Sequence, residues 1–224
     1  MVKIKIIITT ILILSVLTYS VLEIRSYNMK TINDFLKDQV DTNRTPSIQY
    51  AFFDTDSTIY ELHYGLKNIK SAVPADLSTT YSLYSVTKTF TALSVLQLAQ
   101  AGKIDLNSQV SNYLPDFPYS TNITVEQLLT HTAGIPNPLP LRWIHLAEEH
   151  QDFHRDEFFK EVFKNNSKLT SAPGTKFSYS NLGYVLLGQL IEKVSGQSYE
   201  SYVTENITER IGIDPKTLGF QIDP

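Results

Sequence analysis

The sequence predicts an α/β fold in which an antiparallel sheet begins near the N-terminus and is interrupted by a helical region. Residues 47–54 and 57–66 are two runs that bear Tyr, Phe and Ile, joined through Asp54-Thr-Asp56, and they predict a β-hairpin. Apolar residues at helical spacing predict a preceding helix over about residues 26–43, which Thr45-Pro46 ends. This order favours helices packed on an antiparallel sheet with an inserted helical subdomain.

Helical patterns dominate the rest of the chain. Apolar residues from Phe90 to Ala101 predict a helix from about Ser85 to Ala101, and Gly102 suits its left-handed C-terminal cap. Thr124 and Gln127 form a capping box for a short helix that leads to His131. Further helices are expected over residues 156–165, 181–194 and 199–210.

Composition narrows the chemistry that is available. The 224 residues are 42% hydrophobic and 19% charged, which suits a globular domain with its own core. The net charge of −4 and the scattered Lys and Arg residues argue against nucleic acid as a partner. Because the chain has no cysteine, disulfides, thiolate metal sites and a Cys nucleophile are all excluded.

The first residues have the features of an export signal. Lys3 and Lys5 precede an uncharged apolar run over residues 6–22. Its length lies between a signal-peptide core and a membrane span, so residues 1–25 are an uncleaved signal-anchor or a cleaved signal peptide. No small-x-small cleavage site stands clearly after the run, which favours the anchor. The leading lysines place residues 26–224, the expected globular domain, outside the cytoplasm, either membrane-anchored or, after cleavage, secreted.

Ser85 and Lys88 are the first candidate catalytic pair. Their spacing of three residues puts a hydroxyl and an ammonium on the same face of a helix at its N-terminus. A serine becomes nucleophilic when a neighbouring group accepts its proton, and both a lysine and the helix N-terminus favour the alkoxide-like state. The same pattern also occurs by chance as a solvated helical Ser and Lys, so it decides nothing alone.

Tyr179-Ser-Asn181 is the second candidate element. A tyrosine near a lysine can act as a general base and then as a general acid, while an asparagine offers a donor and an acceptor to a substrate amide. The alternative is a core Tyr followed by an Asn at a helix start.

His131-Thr-Ala-Gly134 is the third element. A structural role is expected for His131, which would hydrogen-bond its own loop, with Gly134 allowing a tight turn. A cluster of charged and histidine side chains at helical spacing follows, formed by His145, Glu148, Glu149, His150 and His154. Because these residues lack a zinc-protease motif, a solvated charged face is favoured over a metal site.

Together these elements resemble the family of class C β-lactamases, D-alanyl-D-alanine carboxypeptidases and related esterases. Ser85 to Lys88 matches the family's Ser-x-x-Lys motif, Tyr179 to Asn181 its Tyr-x-Asn motif, and His131 to Gly134 its His-Thr-Ser-Gly-type loop, with Ala133 in place of Ser. Supporting matches are Leu98 to Leu106, Tyr113-Leu-Pro115 and Pro173-Gly174. The resemblance covers about residues 30–220.

The resemblance implies a serine hydrolase that forms an acyl-enzyme on a β-lactam, a D-Ala-terminated peptide or a small ester. It assigns catalysis to Ser85, Lys88 and Tyr179 and substrate binding to Asn181, with no metal and no cofactor. The family's later His- or Lys-x-Gly strand is not found, since Lys216 to Gly219 is interpreted as a loop, so the domain is expected to be incomplete at its C-terminus. A membrane-tethered homologue or fragment that binds cell-wall peptide or a partner without turnover is the alternative.

Overall fold

The computed structural model describes residues 32–119, 122–139, 149 and 152–220, which form two compact units divided between Thr79 and Thr80. The predicted export segment over residues 1–25 lies outside the described residues. Within the ranges that are described, no helix is both long and apolar enough to cross a membrane.

The first unit contains a helix and an antiparallel sheet. Helix α1 (Ile32–Asp41) precedes strands β1 (Ser47–Phe53), β2 (Thr58–Asn68) and β3 (Val73–Pro74), which pair in the order β1-β2-β3. The predicted helix and hairpin are therefore confirmed, and the short strand β3 is an addition that the sequence pattern did not indicate.

The turn of the hairpin owes its shape to Asp54. Its Oδ1 accepts hydrogen bonds from the main-chain N–H groups of Asp56 at 2.9 Å and Ser57 at 2.8 Å. These bonds, which favour the ionised carboxylate, lower the pKa of Asp54. Helix α1 packs on β1 and β2, where the Tyr64 hydroxyl donates to Asp41 at 2.9 Å. The predicted packing of a helix on an antiparallel sheet is confirmed.

The second unit is helical and contains the predicted helices close to their expected positions. Its α-helices are α2 (Thr87–Gln100), α3 (Val125–Leu129), α4 (Arg155–Asn165), α5 (Asn181–Ser195) and α6 (Tyr199–Val203). The last predicted helix, over residues 199–210, was wrong in form: α6 is followed by a π-helical turn, Thr204–Thr208, and a 3-10 turn, Glu209–Ile211. Residues Lys216 to Gly219 lie outside helices and strands, which confirms the predicted loop.

The core of this unit lies where α2, α3 and α5 meet. Helix α5 contributes the largest share of fully buried side chains, and α2 and α3 add smaller sets; the buried residues of these helices include Val95, Leu98, Val125, Leu128, Leu182, Leu186, Leu187, Leu190 and Ile191. Each fully buried Leu or Ile is worth about 1.5–3 kcal/mol relative to an exposed one. Packing in the core therefore fixes the position of α5 against α2.

The helix ends are fixed by side-chain and glycine caps. Thr124 and Gln127 form the predicted capping box, with Thr124 Oγ1 accepting from the Gln127 N–H at 3.2 Å. The hydroxyl of Ser180 accepts from the Gly183 N–H at 3.1 Å and starts α5. Gly102, with φ +69°, follows α2 in the left-handed conformation that the sequence predicts.

Candidate active site

Ser85 lies just before Thr87, the first residue of α2, whereas the sequence predicted it in the first turn of that helix. It lies in a 3-10 turn, Tyr84–Val86, rather than in the first turn of the α-helix itself. Tyr84 has φ +45°, which is rare for a residue with a side chain and raises its conformational energy. Ser85, which follows Tyr84 within this turn, is exposed.

The Ser85 hydroxyl lies next to two of the predicted catalytic groups. Its Oγ is 2.7 Å from the hydroxyl of Tyr179, and the Lys88 ammonium approaches the same oxygen at 3.5 Å, at the long end of the hydrogen-bond range. The ammonium also lies 5.0 Å from the centre of the Tyr179 ring. A proton can therefore pass between Ser85 and Tyr179 directly.

The electrostatics around Tyr179 favour its phenolate. Partial burial raises the pKa of Tyr179, but hydrogen bonds from Lys88 and Ser85 and the positive charge of Lys88 outweigh burial, so the net pKa is below the usual 10. About 37% of the residue is exposed. The ring is thus open to a substrate while its hydroxyl is held by protein groups.

Asn181 forms hydrogen bonds in the site through both the oxygen and the nitrogen of its side-chain amide. Its Oδ1 accepts from the Lys88 ammonium at 2.7 Å, and its Nδ2 donates to Asn137 Oδ1 at 3.0 Å. One Nδ2 hydrogen and one Oδ1 lone pair remain available. The arrangement leaves Asn181 able to donate one hydrogen bond to a substrate while it holds Lys88.

His131 packs against Tyr179 and hydrogen-bonds the segment that precedes α5. Its ring stacks on the rings of Tyr179 and Tyr184, with centroids 4.5 and 4.9 Å apart. Its Nδ1 accepts from the Ser180 N–H at 3.1 Å, and its carbonyl accepts from the Ser178 N–H at 2.7 Å. Burial, followed by the nearby Lys88 charge, lowers the pKa of His131 and keeps the imidazole neutral.

Gly134 is required by a close approach of two backbone segments. It has φ +73°, and a Cβ at this position would collide with the carbonyl oxygen of Ser171. Its own carbonyl accepts from both the N–H and the hydroxyl of Thr170, at 2.8 and 3.0 Å. A glycine therefore allows the His131 loop to rest directly against residues 170–171.

A cleft of about 410 Å³ opens beside Ser85 between α2, α4 and α5. Its lining is largely apolar and includes Phe159, Tyr184 and Val185. At its rim, Arg155 binds Glu192 through two hydrogen bonds of 3.1 and 2.9 Å, so this guanidinium is paired with a protein carboxylate. The cleft can accept an uncharged, largely apolar part of a substrate.

Sequence reasoning missed two residues of the site, Asn137 and Tyr184. Tyr184 donates its hydroxyl to the Leu129 carbonyl at 3.0 Å and lies under the Lys88 ammonium, with its ring centre 5.5 Å away. Its position one helical turn after Tyr179-Ser-Asn181 could have indicated that it faces the site. Asn137, between two prolines, gave no such signal.

The described residues include no group of three or more His, Asp and Glu side chains placed to hold a metal ion. The His145 to His150 stretch, apart from Glu149, lies outside the described residues, so the expectation for it stays a prediction.

Comparison with known proteins identifies the family. The β-lactamase family model matches residues 32–217. The chain belongs to the β-lactamase family. The predicted resemblance to serine β-lactamases and their relatives is thereby confirmed.

Several relatives of this β-lactamase-family chain are similar over most of its length. Protein flp of Staphylococcus aureus (strain MW2) is 30% identical over 186 residues, which are 80% of this chain and 36% of flp. Penicillin-binding protein 4* of Bacillus subtilis (strain 168) is 29% identical over 150 residues, 66% of this chain and 33% of the relative. The chain thus spans about a third of the length of these curated relatives.

A solved structure confirms the fold class. The octameric penicillin-binding protein homologue from Pyrococcus abyssi aligns with a TM-score of 0.68 at 30% identity, covering 80% of this chain and 42% of that one. The helices and the antiparallel sheet of the present chain therefore follow the β-lactamase and penicillin-binding-protein fold.

Proposed function

We propose that this chain carries the nucleophile and proton-transfer groups of a serine hydrolase that forms an acyl-enzyme on Ser85. The observation that carries the proposal is the 2.7 Å contact between the Ser85 and Tyr179 hydroxyls, with the Lys88 ammonium beside both. A nucleophile within hydrogen-bond reach of a base that a third group orients is the arrangement that covalent catalysis requires.

The proposed reaction begins with Tyr179 in its phenolate form. Tyr179 takes the Ser85 proton as Oγ attacks a substrate carbonyl, and the positive charge of Lys88 stabilises the anionic phenolate beforehand. The main-chain N–H of Ser85 is the first candidate donor to the oxyanion. Tyr179 then gives the proton to the leaving group, the carbonyl re-forms, and Ser85 holds the acyl group until water releases it.

The proposed substrate is a β-lactam, a D-Ala-terminated peptide or a small ester. The name of the Bacillus relative, a penicillin-binding protein, supports a substrate with a β-lactam or peptide-like amide. The largely apolar cleft beside Ser85 supports a substrate whose acyl portion is uncharged. A homologue that binds such compounds without turnover uses the same residues, and the rate of acyl release separates the two.

Labelling of Ser85 tests the proposal. The chain is incubated with a fluorescent penicillin and, separately, with a fluorophosphonate, and the modified residue is located by mass spectrometry. Ser85→Ala should abolish the label, whereas Ser82→Ala, an exposed serine three residues earlier, should leave it unchanged. Modification of another residue, or of none by either probe, would contradict the proposal. A label that persists without turnover would favour the non-hydrolysing homologue.

We also propose that residues 1 to about 22 hold the protein on the outer face of a cytoplasmic membrane, since Lys3 and Lys5 precede the apolar run. Cell fractionation followed by protease treatment of spheroplasts tests this. The protein should sediment with membranes and be degraded. Release by osmotic shock would indicate cleavage instead, and protection from protease would indicate the opposite orientation.

A further inference from the structure

Asn137 makes two hydrogen bonds to the residue that holds Lys88. Its Oδ1 accepts from the main-chain N–H of Asn181 at 2.9 Å and from the Nδ2 of the same residue at 3.0 Å. These residues are 44 positions apart, and Asn137 is otherwise exposed. A single side-chain oxygen thus binds Asn181 at both its backbone and its amide.

The acceptor on Asn137 determines which way the Asn181 amide faces. An amide presents a carbonyl oxygen on one side and an NH₂ group on the other. With Nδ2 turned toward Asn137, Oδ1 turns toward the Lys88 ammonium, 2.7 Å away. The flipped amide would set oxygen against oxygen at Asn137 and NH₂ against the ammonium at Lys88, losing two hydrogen bonds and adding two repulsive contacts.

The loop that carries Asn137 is itself fixed against the start of α5. The carbonyl of Pro136 accepts from the Ser180 hydroxyl at 3.0 Å, next to the bonds that Asn137 makes to Asn181. Proline rings at positions 136 and 138 restrict the backbone on both sides of Asn137. The backbone that carries the Asn137 acceptor oxygen is therefore restrained.

We propose that Asn137 is a positioning residue, which fixes the amide of Asn181 and, through it, the Lys88 ammonium beside Ser85 and Tyr179. The inference rests on the proposed function, because it assigns to Asn137 the task of keeping the proton-transfer groups in register. Without the acceptor, the Asn181 amide is free to flip and Lys88 loses its fixed partner.

Two substitutions separate the acceptor from the bulk of the side chain. Asn137→Leu removes the acceptor and should lower the second-order rate of Ser85 labelling by a fluorophosphonate about 10- to 100-fold, the usual effect of a misplaced catalytic group. Asn137→Asp retains an acceptor oxygen, although it adds a negative charge, and should lose less of the rate than Asn137→Leu. Asn165→Leu, at an exposed asparagine ending α4, is the matched control and should not change the rate.

A titration supplies a readout that does not depend on activity. The groups that interact with Tyr179 include Ser85 at its hydroxyl, Lys88 at its hydroxyl and ring, and His131, whose ring packs on its ring; Tyr184 interacts with it electrostatically. In Asn137→Leu the pKa of Tyr179, followed by NMR of ¹³C-labelled tyrosine, should rise, because the ammonium that lowers it is no longer held. The acid limb of the labelling rate should move to higher pH by the same amount.

The outcomes distinguish this inference from the proposed function. If wild type is not labelled at Ser85, the proposed function fails, and the Tyr179 titration alone decides the role of Asn137. A wild-type rate and titration in Asn137→Leu, or an Asn137→Asp variant as impaired as Asn137→Leu, would overturn the inference. If circular dichroism shows that Asn137→Leu does not fold, Asn137→Ala takes its place with the same expected losses.

Discussion

The hydroxyl groups of Ser85 and Tyr179 lie 2.7 Å apart although 94 positions separate the two residues in the chain. Each lies just before the N-terminus of a helix, α2 for Ser85 and α5 for Tyr179, and these two helices pack against each other in the core. Helix N-termini carry partial positive charge and favour nearby anions. Packing of the two helices therefore brings together both reacting oxygens at a place where negative charge is stabilised.

Replacing Tyr179 by Phe should lower turnover, or the Ser85 labelling rate, by about 10²–10⁴, the usual contribution of a general acid–base group. The fold should persist, because Tyr179 is about 37% exposed and the substitution removes only its hydroxyl. Tyr184→Phe is the control: its hydroxyl contacts the Leu129 carbonyl rather than Ser85, and the variant should keep most of the rate. A Tyr179→Phe variant as fast as wild type would leave Tyr179 with a packing role alone.

Replacing Lys88 by Met should move the acid limb of the pH–rate profile upward. Burial raises the pKa of Tyr179 and Lys88 lowers it, so without the ammonium burial dominates and the pKa rises. The phenolate then becomes available only at higher pH, and the rate at neutral pH falls. Lys103→Met, at an exposed lysine beyond α2, should leave the profile in place. An unshifted acid limb in Lys88→Met would mean that another group sets it.

His131 should make the stability of the protein depend on pH below about 6.5, the unperturbed value for histidine. Its pKa is lowered in the folded state, so the unfolded chain binds the proton more readily, and stability falls as pH falls through this range toward the folded pKa. Protonation also removes the bond from the Ser180 N–H to Nδ1.

His131→Asn tests this directly, because Asn tolerates the φ of +56° at this position and offers an acceptor oxygen. Urea unfolding at pH 7.5 and pH 5 should show a smaller difference in free energy of unfolding for the variant than for wild type. An equal pH dependence in both proteins would assign the effect to other groups.

Gly134→Ala should destabilise the protein more than Gly102→Ala does. Both glycines have positive φ, +73° and +69°, so each alanine carries a similar backbone cost of about 1–2 kcal/mol. Only at Gly134 would the new methyl collide with the Ser171 carbonyl, since a Cβ at Gly102 meets open space. The difference in free energy of unfolding should be about 1–3 kcal/mol, the cost of overpacking. Equal losses would show that the loop moves freely away from Ser171.

Local patterns predicted the elements that carry the site because the signals were short-range. The Thr124–Gln127 capping box, the Gly102 cap and the apolar face of α5 each depend on neighbours within one or two helical turns. The motif residues Ser85, Lys88, Tyr179 and Asn181 were found for the same reason, and the structure brings all four together.

The features that sequence reasoning missed depend on contacts between distant segments. Asn137 bonds to Asn181, 44 positions away, and an asparagine between prolines looks like any turn residue. Tyr84 and His131 have positive φ values, which few non-glycine residues adopt, and no local pattern around either residue indicates one. The spacing of residues along the sequence could predict neither the Asn137–Asn181 contact nor these backbone conformations.

The Ser180 hydroxyl affects how readily the backbone at the start of α5 exchanges its amide hydrogens. It caps α5 and donates to Pro136, while the buried body of that helix forms much of the core. The backbone amides of Ser180 and Asn181 are in turn bonded to His131 and Asn137. Hydrogen exchange should therefore be slower at the Ser180 amide, whose bond to His131 is partly buried, than at the Asn181 amide, whose bond to Asn137 is exposed.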